Sequence, residues 1–205
     1  TKGGSRNNRI YDNVIHVIQP GGQGIILGGY SGTQFLFDPA SGIECYNCVA
    51  FNNVVIGESS NSALLMLMGC MDCVFHNNVG IGGVIASLQA VQFSTTNPTF
   101  KNNIVFCNAT GEATNGWHGW AWAGTLTVNY NNFVGCTSGV PSQANPIVGN
   151  PLFVNQASDW HLQAGSPALG SGTVVTVPAY GGGFLDTNEN KDGVTRTAPW
   201  NLGIY

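Results

Sequence analysis

Charged side chains are scarce in this chain of 205 residues: only 8% are Asp, Glu, Lys or Arg, and the net charge is -4. Six Lys and Arg in total cannot build a basic stripe, so neither a nucleic-acid partner nor a polybasic attachment to anionic lipid is expected. Long apolar runs are missing too. The best of them, within SALLMLMGC, falls well short of the roughly 18 residues needed to cross a bilayer, which predicts no membrane span. An initiator Met and a charged-then-apolar leader are also lacking at TKGGSRNN, a start that reads as the interior of something longer, a processed or excised piece. Uninterrupted helix-forming stretches do not occur, because 29 Gly are scattered throughout.

What is present is repetition. NNVVIGE at Asn52 returns as NNVGIGG, NNIVFCN and NNFVGCT. Taking the second Asn of each pair as a marker gives Asn53, Asn78, Asn103 and Asn132, with Asn13 of YDNVIHV as an earlier member after a longer gap that leaves room for a loop around GGYSGTQFLFDPASG. Self-similarity at about 25 residues is the signature of a solenoid whose repeats bury their apolar faces against one another. The flanking residues alternate and are β-branched or aromatic, as in RIYDNVIHVI and TFKNNIVF, which favours strands. The expected architecture is all-β, a right-handed parallel β-helix of about 25-residue coils, each with three short strands, the hand following from that of parallel crossovers. The repeated Asn then forms an axial ladder of side-chain amides and is scaffold. Residues 1–144 are expected to form the coils of one domain, and 145–205 an irregular cap over the end of the stack.

These motifs, together with GIECYNCVAFNNVVIG, resemble the bacterial right-handed parallel β-helix proteins, a group that contains pectate, alginate and chondroitin lyases. The tail, with NPLFVN, DWHLQAGSPALGSG and DGVTRTAPWNLGIY, is similar to the cap of secreted β-helix proteins of the choice-of-anchor type. The resemblance implies an extracellular or cell-surface protein and, if it is catalytic, a polysaccharide lyase. In such lyases a Lys removes the proton α to a uronate carboxylate while a cation neutralises the developing enolate. Lys2 of TKGGS is the matching candidate base, with Arg6 and Arg9 assisting. The match is incomplete: where the lyases carry RHG one coil later, this chain has ILGGYSG.

Two further groups are candidates for glycan binding. The column two residues before each marker reads Tyr11, Phe51, His76, Lys101 and Tyr130. If Ile10, Ala50, Phe75 and Phe100 point inward, this column points outward, as a strip of rings able to stack on sugars or as an aromatic ladder that only stabilises the sheet. GWHGWAWAG supplies Trp117, His118, Trp120 and Trp122, which fill a coil interior or line a groove. The acids Asp38, Glu44 and Asp72 lie near the turns of the coils, where carboxylates serve glycoside hydrolysis or are simply solvated.

The six Cys also keep register, with Cys45 and Cys70, Cys48 and Cys73, and Cys107 and Cys136 each expected on adjacent coils. Three readings fit: buried thiol ladders, disulfides between coils, or zinc held by CYNC and CMDC. Stacking alone explains the spacing without a metal. Calcium is the one cofactor with a candidate loop, DTNENKDG, which offers Asp186, Asn188, Asn190 and Asp192 but has Lys191 where an EF-hand loop has Gly.

Two functional classes follow. One is a secreted protein that binds or cleaves an extracellular polysaccharide. The other is a non-enzymatic β-helix module of a surface, fibre or tailspike-type assembly, whose open first coil meets an upstream part of the same protein or another copy.

Overall fold

A computed structural model describes the chain apart from residues 30, 59–61, 83, 89–94, 108–116, 120–122, 137–139 and 141 and the side chains of 84–88 and 117–119. Five windings stack. The first holds β1 (Ser5–Arg6), β2 (Arg9–Tyr11), β3 (Val14–Val17) and β4 (Gln23–Gly28). The second holds β5 (Cys45–Tyr46), β6 (Val49–Phe51), β7 (Val54–Gly57) and β8 (Ala63–Met68). The third holds β9 (Cys70–Met71), β10 (Val74–His76), β11 (Val79–Ile81) and β12 (Val84–Leu88). The fourth holds β13 (Thr99–Lys101), β14 (Ile104–Phe106) and β15 (Trp117–Gly119), and the fifth β16 (Thr127–Asn129) and β17 (Asn132–Val134).

Like strands pair in parallel, giving sheets ordered β1-β5-β9, β16-β13-β10-β6-β2, β17-β14-β11-β7-β3 and β15-β12-β8-β4. The fold is a parallel β-helix. A full winding has four short strands and not the expected three, because the chain bends at two successive corners. One column of corner residues is Asn7, Asn47, Asp72 and Asn97, and the other is Asp12, Asn52, Asn77, Asn102 and Tyr130. All have positive φ, from 49° at Asn97 to 60° at Asp12, a conformation Asn and Asp tolerate best among non-glycine residues. Among the described residues the only helical element is the 3-10 turn Thr33–Phe35, in the loop inserted into the first winding. No helix among them is long and apolar enough to cross a membrane.

Inside the second corner runs the amide ladder. Asn13 Nδ2 donates to Asn53 Oδ1 at 2.9 Å, Asn53 to Asn78 at 3.0 Å, Asn78 to Asn103 at 3.0 Å and Asn103 to Asn131 at 2.9 Å. Each of these oxygens also accepts the backbone N–H of the Asn above it. Each spare Nδ2 proton goes to carbonyls, for Asn78 those of Ala50 and His76. The ladder ends on a substitute amide: Gln143 Oε1 accepts Asn131 N–H at 3.0 Å, and its Nε2 returns a bond to Asn131 O.

This geometry corrects the fifth marker, which is Asn131 and not Asn132. Lys101 accordingly pairs with Asn129, while Tyr130 falls at the corner with φ 55° and leaves the proposed column. NYNN contains three Asn within four residues, and spacing alone did not separate them.

The interior is lined by Cys45, Ala50, Val55, Leu64, Leu67, Phe75, Phe100 and Val105, with Ile10 and Ile15 packed against them. Phe75 and Phe100 stack at 5.5 Å between centroids. A second apolar layer lies outside the coils. The tail was expected over the end of the stack, yet only its first part, at Gln143, Asn145 and Ile147, sits on the fifth winding. The rest turns back along the side of the solenoid and carries two hairpins, β18 (Phe153–Asn155) with β19 (Asp159–Leu162) and β20 (Val177–Pro178) with β21 (Phe184–Leu185). Its Phe153, Trp160, Leu202 and Ile204 cover Val54, Val79 and Ile104, while Val175, Val177 and Trp200 cover Val49, Phe51 and Val74.

The first Asn of each repeated pair holds this strap. Asn52 Nδ2 donates to Glu189 O, Asn77 Nδ2 to Asn201 O and Gly203 O, and Asn102 Nδ2 to Thr173 O. Gly203 makes the approach feasible, since a Cβ there would lie 3.0 Å from Ile104 Cδ1 at φ +71°.

Asn78→Ala removes an acceptor from two Asn53 donors in a site without solvent. We expect a loss of about 3 kcal/mol in denaturant unfolding, against less than about 1 kcal/mol for Asn13→Ala, whose side chain is reached by water. Equal losses at the two positions would refute the ladder as the main buried polar support.

Candidate functional site

Where the strap crosses the first winding it leaves a cleft of about 100 Å³, walled by Arg9, Tyr11 and Asp12 on the coil side and by Asp186, Thr187 and Glu189 on the strap. Alternation along β2 turns Arg9 and Tyr11 outward while Ile10 joins the interior. Arg9 Nη1 donates to Asp186 O at 3.2 Å. Tyr11 stacks on Phe51 with centroids 5.0 Å apart and planes 9° apart, yet remains 48% exposed because β2 is the last strand of its sheet. Asp12, Asp186 and Glu189 line the cleft with Arg9, and two further cations stand at its wall, Lys191 on Asp12 O and Arg196 on Glu189 O and Asn52 Oδ1, so the cleft is rich in polar groups with its charges balanced. In its wall Thr187 Oγ1 is buried without a partner among the described residues.

The structure divides the remaining sequence candidates. His76, expected on an exposed strip, is fully buried: it stacks on Phe51 at 5.3 Å and packs against Trp200 at 6.1 Å. Burial pushes its pKa down to about 3, so the ring stays neutral, with Nδ1 donating to Asn77 Oδ1 at 3.0 Å. The column is therefore an aromatic ladder over most of its length, because the strap covers its middle. Lys101 emerges on the far side of Trp200, half-buried in a separate cleft of about 340 Å³ with Asp72 and Asn97. Tyr130 is half-buried at its corner. Trp117 and His118 lie in β15, opposite Ile85 and Ala86, and their side chains fall outside the described residues, as do Trp120 and Trp122 altogether.

Lys2, Arg6 and Arg9 each have different neighbours. The Lys2 stem packs on Gly29. The Arg6 guanidinium sits over three rings, 4.1 Å from Tyr180, 4.6 Å from Phe37 and 5.7 Å from Tyr46. Only Arg9 reaches the cleft. Glu44 is not a solvated turn acid: it is fully buried, its Oε2 accepting Gly3 N–H at 2.9 Å and its Oε1 accepting Ser31 N–H, which ties the inserted loop to the first coil. Two of the four candidate calcium ligands are turned to other partners. Asn190 Oδ1 accepts Asp192 N–H and Val194 N–H, and Asp192 turns away to His161.

Of the readings left open for the cysteines, the between-coil disulfide holds for Cys107 with Cys136 but not for Cys45 with Cys70 or Cys48 with Cys73. Register does set Cys45 beside Cys70, but the corner at Asn47 turns Cys45 and Cys48 towards each other, and these two form a disulfide within one winding. Cys70 and Cys73 are buried free thiols, the former with its pKa raised by burial. Cys107 and Cys136 form a disulfide between the fourth and fifth windings, with Cα atoms 4.9 Å apart.

One arrangement was not singled out in the sequence. On β19 the period of two puts Asp159 and His161 on one side, and the strap brings Asp192 to the other ring nitrogen. His161 Nδ1 lies 2.6 Å from Asp159 Oδ1 and Nε2 3.1 Å from Asp192 Oδ2, with the ring stacked on Tyr205. Both nitrogens donate only in the imidazolium, so the hydrogen bond to Asp159 leads in raising the His161 pKa, and the same bond lowers that of Asp159.

No protein-family model matches this chain, and no curated protein matches it.

The His161 pair makes stability pH-dependent. The raised His161 contributes fully below its unfolded value of 6.5 and loses that contribution as pH rises through its folded pKa. The lowered Asp159 contributes above its unfolded value of 3.8 and loses it as pH falls through its folded pKa. The cluster is thus most stabilising between those two unfolded values. Nuclear magnetic resonance titration should place His161 above 6.5, and Asp192→Asn should lower it and flatten the fall in melting temperature towards alkaline pH. An unshifted His161 in both proteins would contradict the arrangement.

Proposed function

We propose that this chain is an extracellular β-helix module that binds a hydroxyl-rich, uncharged polysaccharide at the polar cleft between the first winding and the strap. The observation that carries the reading is the set of groups meeting there: Asp12, Asp186 and Glu189 as acceptors for sugar hydroxyls, Arg9 as donor, and the half-exposed Tyr11 ring as a stacking face. The buried Thr187 hydroxyl supplies one more polar group in need of a partner. An oxidising compartment is supported by the disulfide Cys107–Cys136 between windings.

The charges of the cleft favour a neutral chain over a polyuronate, because Arg9, Lys191 and Arg196 balance its three carboxylates and leave no excess of positive charge to hold an anionic polymer. Lyase chemistry by Lys2 with Arg6 and Arg9 is the less favoured form of the reading, since Arg6 is engaged by three rings and Lys2 lines a different part of the surface. A purely structural module is the second reading, favoured by one observation: among the described residues β2, β3 and β4 each lie at the edge of their sheets, a geometry to which another copy could add strands.

Glycan-array binding followed by calorimetry tests the first reading. Tyr11→Ala and Asp186→Ala should each weaken binding about 3- to 10-fold, corresponding to one lost stacking or charge-assisted contact, in protein that still melts cooperatively above the assay temperature. Binding of polyuronates in preference to neutral polymers, with release of unsaturated product that Lys2→Ala abolishes, would favour the lyase form. Absence of any glycan binding would leave the structural module.

A further inference from the structure

The sulfur cluster inside the first corner goes beyond glycan binding and does not rest on it. Stacking accounts for Cys45 beside Cys70 and for Cys48 beside Cys73. It does not account for the convergence of both members of one motif with a member of the next. Yet the sulfurs of Cys45, Cys48 and Cys73 all lie within 4.8 Å of one another, the first two joined as the disulfide, and Cys70 pairs in register with Cys45. All four residues are fully buried. Four thiolates around a tetrahedral zinc at about 2.3 Å stand about 3.8 Å apart, so once the Cys45–Cys48 bond is opened three of the sulfurs need only small shifts to reach that spacing, and Cys70 supplies the fourth from the strand beside Cys45.

We propose that, with the Cys45–Cys48 bond reduced, Cys45, Cys48, Cys70 and Cys73 form a tetrathiolate site for a soft divalent metal ion of the zinc class. Each motif contributes two ligands from either side of a left-handed corner, Asn47 in one winding and Asp72 in the next. Two donors are in place for the charge that develops: Cys48 N–H lies 3.4 Å from Cys73 Sγ and the Ser5 hydroxyl 3.5 Å from Cys45 Sγ. Binding exchanges four S–H protons for one M²⁺, leaving a dianionic centre. The release of those protons makes affinity rise with pH, and binding also gives up thiol hydrogen bonds such as that from Cys73 Sγ to Cys45 O at 3.6 Å. Disulfide and metal are alternative uses of the same atoms. Passing from the first to the second takes two electrons and two protons, supplied by a phosphine reductant that is converted with water to its oxide.

The test uses the full chain reduced with a phosphine without oxygen and titrated with Co²⁺. One equivalent should bind and give thiolate-to-cobalt charge-transfer absorption with tetrahedral ligand-field bands, which Zn²⁺ then removes. Cys107→Ser/Cys136→Ser should bind like the unaltered chain, and Cys73→Ser should lose the bands. Because serine at position 73 can disturb the core, zinc-edge X-ray absorption on the unaltered protein provides a second measurement, with four sulfurs at about 2.3 Å expected. A reduced chain that folds and binds no metal, a zinc shell of oxygen or nitrogen, or equal binding by the Cys73→Ser and Cys107→Ser/Cys136→Ser proteins would overturn the site. A reduced chain that is unfolded without zinc and folds on its addition would support it, and one that zinc fails to rescue would overturn it.

Discussion

Every winding must return its second-corner Asn to the same axial line, because each ladder oxygen takes two donors from the amide above and each amide nitrogen serves the oxygen below. An amide displaced by one residue would leave several buried polar groups unpaired, each costing about 1–3 kcal/mol, so register is held far more tightly than winding length. The spacings of 40, 25, 25 and 28 residues along the ladder show this tolerance directly. Extra residues are confined to excursions between strands, such as the segment between β4 and β5 that Glu44 pins back.

That constraint explains why the outside of the solenoid is also apolar. A stack with a polar exterior would need only one core. Here the two adjoining sheets centred on β10 and β11 bury both faces, and their strands VAF, VVI and IVF accordingly read as unbroken apolar runs and not as alternation. The strap that covers them has little regular structure of its own. It depends on the corner amides Asn52, Asn77 and Asn102 for its backbone partners, and on Arg196, whose Nη2 bonds Asn52 Oδ1 at 2.9 Å over the Trp200 ring. Burial lowers the Arg196 pKa to about 10, which still leaves the guanidinium charged at neutral pH. The repeated pair therefore has two separate jobs, one amide facing the axis and the other facing the strap.

The ladder and the parallel stacking were legible because they rest on period and residue type, and both survive in a single sequence. The fifth marker was misplaced where NYNN offers a choice that only the hydrogen bonds of Asn131 with Gln143 decide. The strap was legible as a segment but not in its path, since docking on the side or on the end depends on contacts some 70 to 180 residues apart, such as Asn102 with Thr173 and Asn7 with Tyr180. His76 looked exposed by alternation alone, and Trp200, which buries it, lies on the other side of that long connection. The cysteine register was legible too, while the turn of Cys45 towards Cys48 depends on the corner conformation of Asn47.

A periodic scaffold cannot by itself make a singular site, since whatever one winding presents the next presents again. Singularity arises where a column departs from its own pattern or where aperiodic chain meets it. Along the outer face of the second sheet the columns read Arg9, Val49, Val74, Thr99 and Tyr11, Phe51, His76, Lys101, and the corner beside them reads Asp12, Asn52, Asn77, Asn102. The first winding differs in charge at two of these three positions and leaves its ring half-exposed at the third. The strap meets it there with Asp186 and Glu189, and Lys191 Nζ bonds Asp12 O beside them. Ladder, inner core and outer core use up most of the regular faces of the middle windings, apart from the cleft at Asp72, Asn97 and Lys101. The polar groups left over gather at the seam of the first winding, where a ligand would find partners that the scaffold has not already engaged.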